Sequence, residues 1–526
     1  IEGGNGVIEG DYTQQEAFAL MAVLENPLKT PLNLEASNLV DPTLGKDAIR
    51  SGVQASIYGT LAVAVFMLVY YMLAGMVANV ALIANIIILL GVMCSIGTTL
   101  TLPGIAGIVL TVGMAVDANV LIYERIREES AKGKSLRGAI SAGYSRAFGT
   151  IFDSHVTTLI SSIILIFMGT GPIKGFGVAL TIGVAASLFT ALVVTRMIFD
   201  WLLDRNLIKA VPMLHIIKST KLDFMKLAKP AFITSWLIIV VGIGWGIQRG
   251  KSAYGRDFVG GDSITFTFEQ KVSDVEALRS ALNAAGIKDA TPQYQRDLTD
   301  ARETLRVNGP SGSAEKIKST LLNQFPQAKF EVKGQDIVGP SVGKDIQRSA
   351  FLAMLLSLFG ILVYVAFRYE FSFAVGAVVA VVHDVLMTVG IYYISGREFN
   401  ATTVAAVLTI IGFSINDTIV IFDRIREDLK MGVRGSFKDL VNQALNQTLS
   451  RTIITSGTVF LATMSLLIFG GGEINDFAFT FMVGIITGTY SSIYIASALV
   501  LWWHKGQRPS IGASPVGVES AAPVRS

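Results

Sequence analysis

The chain has 526 residues, of which 51% are hydrophobic and only 16% charged, and its formal net charge is +3. An ordinary soluble domain carries about a quarter charged residues, so a water-soluble protein of this size is excluded, and +3 gives no footing for nucleic-acid binding. A single cysteine, Cys94, excludes disulfides within the chain, zinc ribbons and thiol redox pairs.

Residues 1–54 are polar and mixed, with no initiator Met, basic n-region or apolar h-region. Apolar runs of bilayer-spanning length then follow at about 55–73, 76–97, 102–123, 151–169, 173–199 and 231–248. Between 249 and 349 the composition turns soluble. Ser263–Glu269 alternates like a strand, and 273–285 reads as a helix with Val275, Leu278 and Leu282 on one face. Thr304–Val307 is a short strand, 312–325 a second helix and Lys329–Val332 a strand. This β-α-β-α-β order predicts a small ferredoxin-like α+β domain. It holds no Cys, no His and no Gly-rich phosphate loop, so it reads as a surface rather than a catalyst. Five more spans, at about 350–367, 371–394, 401–422, 453–469 and 477–503, bring the count to eleven. The low-complexity tail 509–526 reads as disordered.

Lys and Arg in short loops set the orientation. The loop after 123 holds Arg125, Arg127, Lys132, Lys134, Arg137 and Arg146, and those after 199 and 422 are equally basic. Threading eleven spans in order puts all three loops on one face, which is therefore cytoplasmic. Loops 98–101 and 170–172 have no basic residue, and 395–400 has only Arg397. Residues 1–54 and the insert 249–349 then lie outside, and the C-terminus inside. An extracytoplasmic start without a signal or anchor predicts at least one upstream span, twelve in all.

Self-comparison at an offset of about 300 residues reveals a repeat. Val40-Asp41-Pro42-Thr43-Leu44-Gly45-Lys46-Asp47 aligns with Val338-Gly339-Pro340-Ser341-Val342-Gly343-Lys344-Asp345, and Glu124-Arg125-Ile126-Arg127-Glu128 with Asp423-Arg424-Ile425-Arg426-Glu427. Spans 55–199 and 350–503 are two copies of one five-helix unit. Both run in the same direction, so a pseudo-two-fold along the membrane normal is expected, with the working site between the halves.

Ionisable side chains inside spans cost roughly 2.5–3.5 kcal/mol each on insertion scales, so each demands an explanation. Asp117 sits in Gly113-Met114-Ala115-Val116-Asp117-Ala118-Asn119, and the repeat places Asn416 at its position with Asp417 one step on. Gly113 and Gly412, four residues earlier, allow close helix approach. A carboxyl group buried there meets the requirement for a proton carrier; the other reading is a structural Asp capped by Asn and Thr. Arg451 opens span 453–469 and is either a snorkelling anchor or a partner reaching Asp117 or Asp417. Asp153-Ser154-His155 sits at the start of span 151–169, where an interfacial role suffices, and Thr157 and Thr158 can bond their own backbone. His383-Asp384 lies mid-span, as a satisfied pair or a proton relay. No nucleophile–base–orienter set and no metal-ligand cluster occurs in the sequence, which argues against an enzyme and implies no cofactor and no metal.

At these motifs the chain resembles the protein-export membrane proteins SecD and SecF, joined in one polypeptide. The residues are Val338-Gly339-Pro340-Ser341-Val342-Gly343, Ala115-Val116-Asp117-Ala118-Asn119, Asn416-Asp417-Thr418, Ser450-Arg451-Thr452 and Asp257-Phe258-Val259-Gly260-Gly261. The resemblance covers nearly the whole chain. It implies an α-helical polytopic membrane protein of the resistance-nodulation-division (RND) type, with a pseudo-two-fold repeat of transmembrane helices and a small periplasmic α+β domain. It implies a proton-driven auxiliary role at the Sec translocon of the bacterial cytoplasmic (inner) membrane. Partners on this reading are the translocon channel, accessory membrane subunits, unfolded preprotein, the lipid bilayer and protons, with sodium as an alternative ion. Residues 1–54 are the end of a first periplasmic domain, 55–199 the SecD-type repeat, 200–230 a cytoplasmic linker, 231–248 the first SecF-type span, 249–349 the second periplasmic domain, 350–503 the SecF-type repeat and 504–526 the tail. By motif, Asp117, Asp417 and Arg451 are the charged residues of the proton path. Asn119, Asn416, Asp153, His155, Thr157, Thr158, His383 and Asp384 are supporting polar residues. His155 departs from the Asn usual in the family at that position. The competing function is an RND exporter of small hydrophobic molecules, and a passive translocon scaffold is a third.

Overall fold

A computed structural model of the chain describes residue 21 and residues 36–509, apart from 41, 170, 215–219, 273, 289 and 297–302. Most of the polar start and the tail 510–526, expected to be disordered, lie outside the described residues. Among those described, ten helices are long and apolar enough to cross a membrane.

The first, α1 (Pro42–Ser95), is two crossings. It breaks at Met72, where φ is 48° and ψ −113°, a region closed to most L-residues. Asn79 Nδ2 donates to the Ala64 carbonyl at 3.0 Å. Along unbroken helix those residues would lie about 22 Å apart at 1.5 Å per residue, so the chain folds back on itself. Eleven helical segments therefore match the eleven apolar runs, with the first turn at Met72.

The remaining helices of the first half are α2 (Leu102–Ala131), α3 (Leu136–Met168) and α4 (Pro172–Phe189, continued by a π turn Thr190–Val194 and Thr195–Asp204). Then come α5 (Phe224–Arg249) and an insert whose helices are α6 (Val275–Ala284) and α7 (Ala314–Gln324). The second half is α8 (Pro340–Arg368), α9 (Phe371–Ile394), α10 (Ala401–Lys430), α11 (Phe437–Phe469) and α12 (Gly472–Ser491, continued by a π turn Ser492–Ala496 and Ser497–Trp503).

The repeat holds down to helix ends. Thr101 caps α2 by accepting from Gly104 N–H, and Asn400 caps α10 by accepting from Thr403 N–H. Ser135 and Ser436 cap α3 and α11 in the same way. Each half ends on a helix with one π turn. The halves meet through their glycines. A Cβ on Gly113 of α2 would lie 3.0 Å from Val459 Cα of α11, and one on Gly412 of α10 would lie 3.2 Å from Thr158 Cα of α3. Each polar motif thus faces the other half at a point where only glycine lets the backbones close.

The strands β1 (Ala36–Val40), β2 (Gly261–Thr267), β3 (Thr291–Arg296), β4 (Glu303–Gly309) and β5 (Glu331–Val338) form one antiparallel sheet of order β1-β5-β2-β4-β3. The insert alone is β-α-β-β-α-β, the ferredoxin-like order, with Ile264, Phe266, Leu305 and Val307 packed under Leu278, Leu282, Ile317 and Leu321. The predicted β-α-β-α-β order misses β3. Its sequence, Thr-Pro-Gln-Tyr-Gln-Arg, has no aliphatic alternation and carries Pro292, which is tolerated because β3 is an edge strand.

Residues β1 and β5 are repeat mates, and they pair with each other. Asn38 stands opposite Asp336, and both lie two residues before the aligned Val40 and Val338, so the pseudo-two-fold passes between them. The pairing also puts β1 and the insert on one face of the membrane. Six crossings separate β1 from β2, an even number, as that placement requires; one long first helix would make the count odd.

Candidate functional site at the interface of the halves

Helices α2 and α10 form the centre. The apolar windows of these helices are 89% and 94% buried, against 22% for α5 and α8. On α2, Asp117 is the one residue between Val109 and Ile126 that is not fully buried. No hydrogen bond or ion pair reaches its carboxyl group among the described residues, and Asp417 and Arg451 are the charged groups whose fields act on it.

Asp417, buried on α10, accepts from Ser456 Oγ at 3.1 Å and from Thr455 Oγ1 at 3.5 Å, both on α11. Ser456 in turn lies 2.7 Å from Thr489 Oγ1 of α12. Asn416, the positional mate of Asp117, points to the other side. With its amide nitrogen facing the Ser154 and Gly412 carbonyls, at 3.1 and 3.3 Å, it ties α10 to α3. Thr157 and Thr158 donate to the Ser154 carbonyl at 2.8 and 3.1 Å, as their backbone-bonding reading predicts. Thr158 also reaches the Gly412 carbonyl at 3.4 Å. Asn119 donates to the Ala115 carbonyl of its own helix at 3.3 Å.

Arg451 departs from expectation. It is buried on α11, one helical turn before Thr455, but it makes no ion pair with Asp117 or Asp417 among the described residues. Its Nη2 lies 3.6 Å from Glu128 Oε1 instead. Glu128 is eleven residues beyond Asp117 on α2, about 16 Å along the axis. A buried guanidinium needs a carboxylate, and the repeat supplies a dense set at that end. Arg125 pairs with Glu128 at 2.8 Å and, across the interface, with Glu427 at 3.2 Å and Asp423 at 4.0 Å. Arg146 faces Glu427 at 3.8 Å, and Thr150 donates to Asp423 at 2.9 Å. In sequence these charges set orientation and repeat register, and the like-spaced charges at matched positions are the signal of their meshing between the halves.

Asp153 is corrected outright. It is not an interfacial bystander: its carboxylate, buried on α3, receives Arg368 Nε of α8 at 2.7 and 2.9 Å and the Tyr364 hydroxyl at 2.8 Å. Tyr369 stands 3.4 Å away. His155 has both ring nitrogens 2.9 Å from partners, the Ile151 carbonyl and Ser187 Oγ, within its own half. His383 Nδ1 lies 3.1 Å from Asp384 Oδ1, and the second oxygen of Asp384 accepts from Ser414 and from Ser491, the latter at 2.6 Å. His383 Nε2, buried as well, has no hydrogen-bond partner among the described residues, so the pair is satisfied at Asp384 and open at His383. Among the described residues no group of three or more His, Cys, Asp or Glu is placed to hold a metal ion.

One family model, that of the C-terminal part of the protein export membrane proteins SecD/SecF, matches the chain twice, at residues 22–205 and 317–506. The chain belongs to the SecD/SecF family. The two matches coincide with the two halves of the repeat. The protein translocase subunit SecDF of Thermus thermophilus is 40% identical over 519 residues, which are 98% of this chain and 70% of that protein. The SecDF subunit of Brucella abortus is 35% identical over 524 residues, 98% of this chain and 68% of the relative. The crystal structure of SecDF from Thermus thermophilus, described as a translocon-associated membrane protein, superposes with a TM-score of 0.84 at 39% identity, covering 96% of this chain and 69% of that one. The family thus accounts for both halves and for the multi-pass helical architecture.

Proposed function

We propose that the chain is an auxiliary subunit of the bacterial Sec protein translocase that uses the proton motive force to promote preprotein movement across the cytoplasmic membrane. The observation that carries this reading is the pair Asp117 and Asp417. These are two carboxyl groups at the centre of the interface between the halves, and among the described residues one has hydroxyl donors only and the other has no bonded partner. Proton gain or loss there changes the charge at the centre of the interface, where α2 packs on α11 and α10 on α3, and among the described residues nothing bonded to Asp117 resists the change. Arg451, held by Glu128, supplies the nearby cation. The membrane then holds residues 55–199 as the SecD-type half and 231–248 with 350–503 as the SecF-type half. The insert 249–349 is periplasmic and the C-terminus cytoplasmic. Its partners are the translocon channel, accessory membrane subunits and unfolded preprotein.

An exporter of small hydrophobic molecules fits less well. The apolar cleft between the halves, lined by Leu165, Ile173, Ile346, Ala353, Val404 and Leu408, holds about 20 Å³, against the roughly 300–1,000 Å³ of ligand pockets.

The test is preprotein translocation into membrane vesicles with and without a proton gradient. The unaltered chain should raise gradient-dependent translocation, and Asp117→Asn and Asp417→Asn should each reduce it to the level seen without a gradient. Unchanged gradient dependence in both variants would remove proton coupling. The orientation has its own check. With Cys94→Ser and Thr99→Cys, which places the thiol at an exposed position in the loop between α1 and α2, a membrane-impermeant maleimide should label the chain in right-side-out vesicles and fail to do so in inverted ones.

A further inference from the structure

The loop 395–400, which leads into α10 on the insert face, is held from several sides. Arg249, the last residue of α5, donates to the carbonyls of Tyr393 at 3.2 Å, Gly396 at 3.0 Å and Arg397 at 2.9 Å. The segment after α5 pairs with Phe399 in both directions: Gly255 N–H donates to the Phe399 carbonyl at 2.8 Å, and Phe399 N–H to that of Ala253 at 2.9 Å. Arg397 is ion-paired with Asp476 of α12.

Asp257 adds a bond of another kind. Its Oδ2 accepts from the N–H of Ala401, the first residue of α10, at 2.9 Å. Helix starts leave unbonded N–H groups, and a carboxylate suits the positive end of the dipole. Yet α10 already has its own cap, because Asn400 Oδ1 accepts from Thr403 N–H at 2.8 Å. Asp257 is therefore a second cap, delivered from a distant segment. Four residues after it, Gly261 begins β2, the strand at the middle of the sheet. Between the two, the Phe258 carbonyl accepts from Gln347 Nε2 of α8 at 2.7 Å, and a Cβ on Gly343 would come within 2.7 Å of that oxygen. Gly260 and Gly261, with φ of +75° and +135°, make the turn that only glycine takes easily. The span from the root of β2 to the start of α10 is thus short, packed and hydrogen-bonded throughout.

At the other end of this connection stands Asp417. It lies sixteen residues beyond Ala401, about 24 Å along a helix with no internal proline. A closely packed helix moves as a unit, because interiors yield little to compression.

We propose that Asp257 is the positioning residue that couples the carboxyl groups in the membrane to the insert: it fastens the start of α10 to the root of β2, so that a shift of α10 moves the sheet. This rests on the proton-driven reading above, and it adds the route by which a proton's effect leaves the membrane.

The experiment uses the full chain reconstituted in vesicles, with Cys94→Ser and spin labels at the exposed positions Ser319 on α7 and Thr99 in the loop before α2. The distance between labels is measured with Asp417 and with Asp417→Asn, alongside proton flux and gradient-dependent export. With Asp257 present, Asp417→Asn should shift the distance distribution. With Asp257→Ala the shift should vanish and export stimulation fall at least tenfold, while proton flux stays within twofold of the unaltered chain. Asp257→Asn, which keeps an acceptor oxygen, should restore both the shift and export. A merely structural role would lose flux together with export, and that result overturns the proposal. So does an Asp257→Ala chain that shifts and exports like the unaltered one. Absence of flux in the unaltered chain would instead overturn the proton reading, and this proposal with it.

Discussion

Replacing Arg368 with alanine is expected to destabilise the protein more than any other single loss of a surface-accessible cation. Arg368 has a side chain 49% exposed, but its partner Asp153 is 4% exposed and lies on the other half of the molecule. Removing one member of such a pair leaves an uncompensated buried charge, at a cost of roughly 3–5 kcal/mol. The lower end applies, because the Tyr364 hydroxyl still donates to Asp153 at 2.8 Å. Thermal unfolding in detergent should therefore order the chains with Arg368→Ala lowest. The pair Arg368→Ala with Asp153→Asn should recover most of the loss, since it removes the stranded charge as well as its partner. If the double variant melts as low as the single one, the loss comes from the packing of the arginine stem rather than from the ion pair. The same contact joins α3 to α8, so export should fall with stability in Arg368→Ala and return with it in the double variant.

Asp153 shows where sequence reasoning stopped. Its partners are more than two hundred residues away, and its mate in the repeat carries no matching charge, so neither spacing nor self-comparison pointed to Arg368. By contrast, the spans, their direction and the repeat were legible because each rests on a local rule: length of apolar run, loop charge, and matched Gly, Pro and charged positions. Gly113 and Gly412 were legible for the same reason, as glycine four residues before a polar residue has a steric meaning that needs no partner to be known. β3 was not, since an edge strand can be polar and can carry proline without penalty, and Thr-Pro-Gln-Tyr-Gln-Arg gives no period to read. The pairing of β1 with β5 was hidden in the repeat itself. Matched segments read as copies in sequence, while their meeting across the pseudo-two-fold is a matter of pairing in space. Asp117, Asp417 and Arg451 stood out as costly charges, but the sequence could only offer Arg451 the carboxyl groups already noticed. It could not weigh Glu128, one of several charges at the end of α2.

That choice of partner shapes the second large expected effect. Arg451→Leu should leave the protein folded and abolish gradient-dependent translocation. Arg451 is buried, its Nε has no acceptor among the described residues, and its one ion pair, at 3.6 Å, is long. Glu128 does not depend on it, because Arg125 holds the same carboxylate at 2.8 Å. Replacing a poorly compensated buried charge by a hydrophobic side chain is often neutral or stabilising, so the melting midpoint of Arg451→Leu should match or exceed that of the unaltered chain. Export should nevertheless fall to the level measured without a gradient, since Asp117 loses the cation whose field acts on it. Arg451→Lys separates charge from shape. The ammonium is a compact point charge that gives up its proton more readily than a guanidinium when buried, and it lacks the planar fork of donors that a guanidinium presents. Partial activity in Arg451→Lys with none in Arg451→Leu would assign the role to positive charge. Equal loss in both, with both folded, would assign it to the guanidinium's geometry. Gradient-dependent export that survives in Arg451→Leu would reduce Arg451 to an anchor at the end of α11 and leave Asp117 and Asp417 to carry the proton path alone.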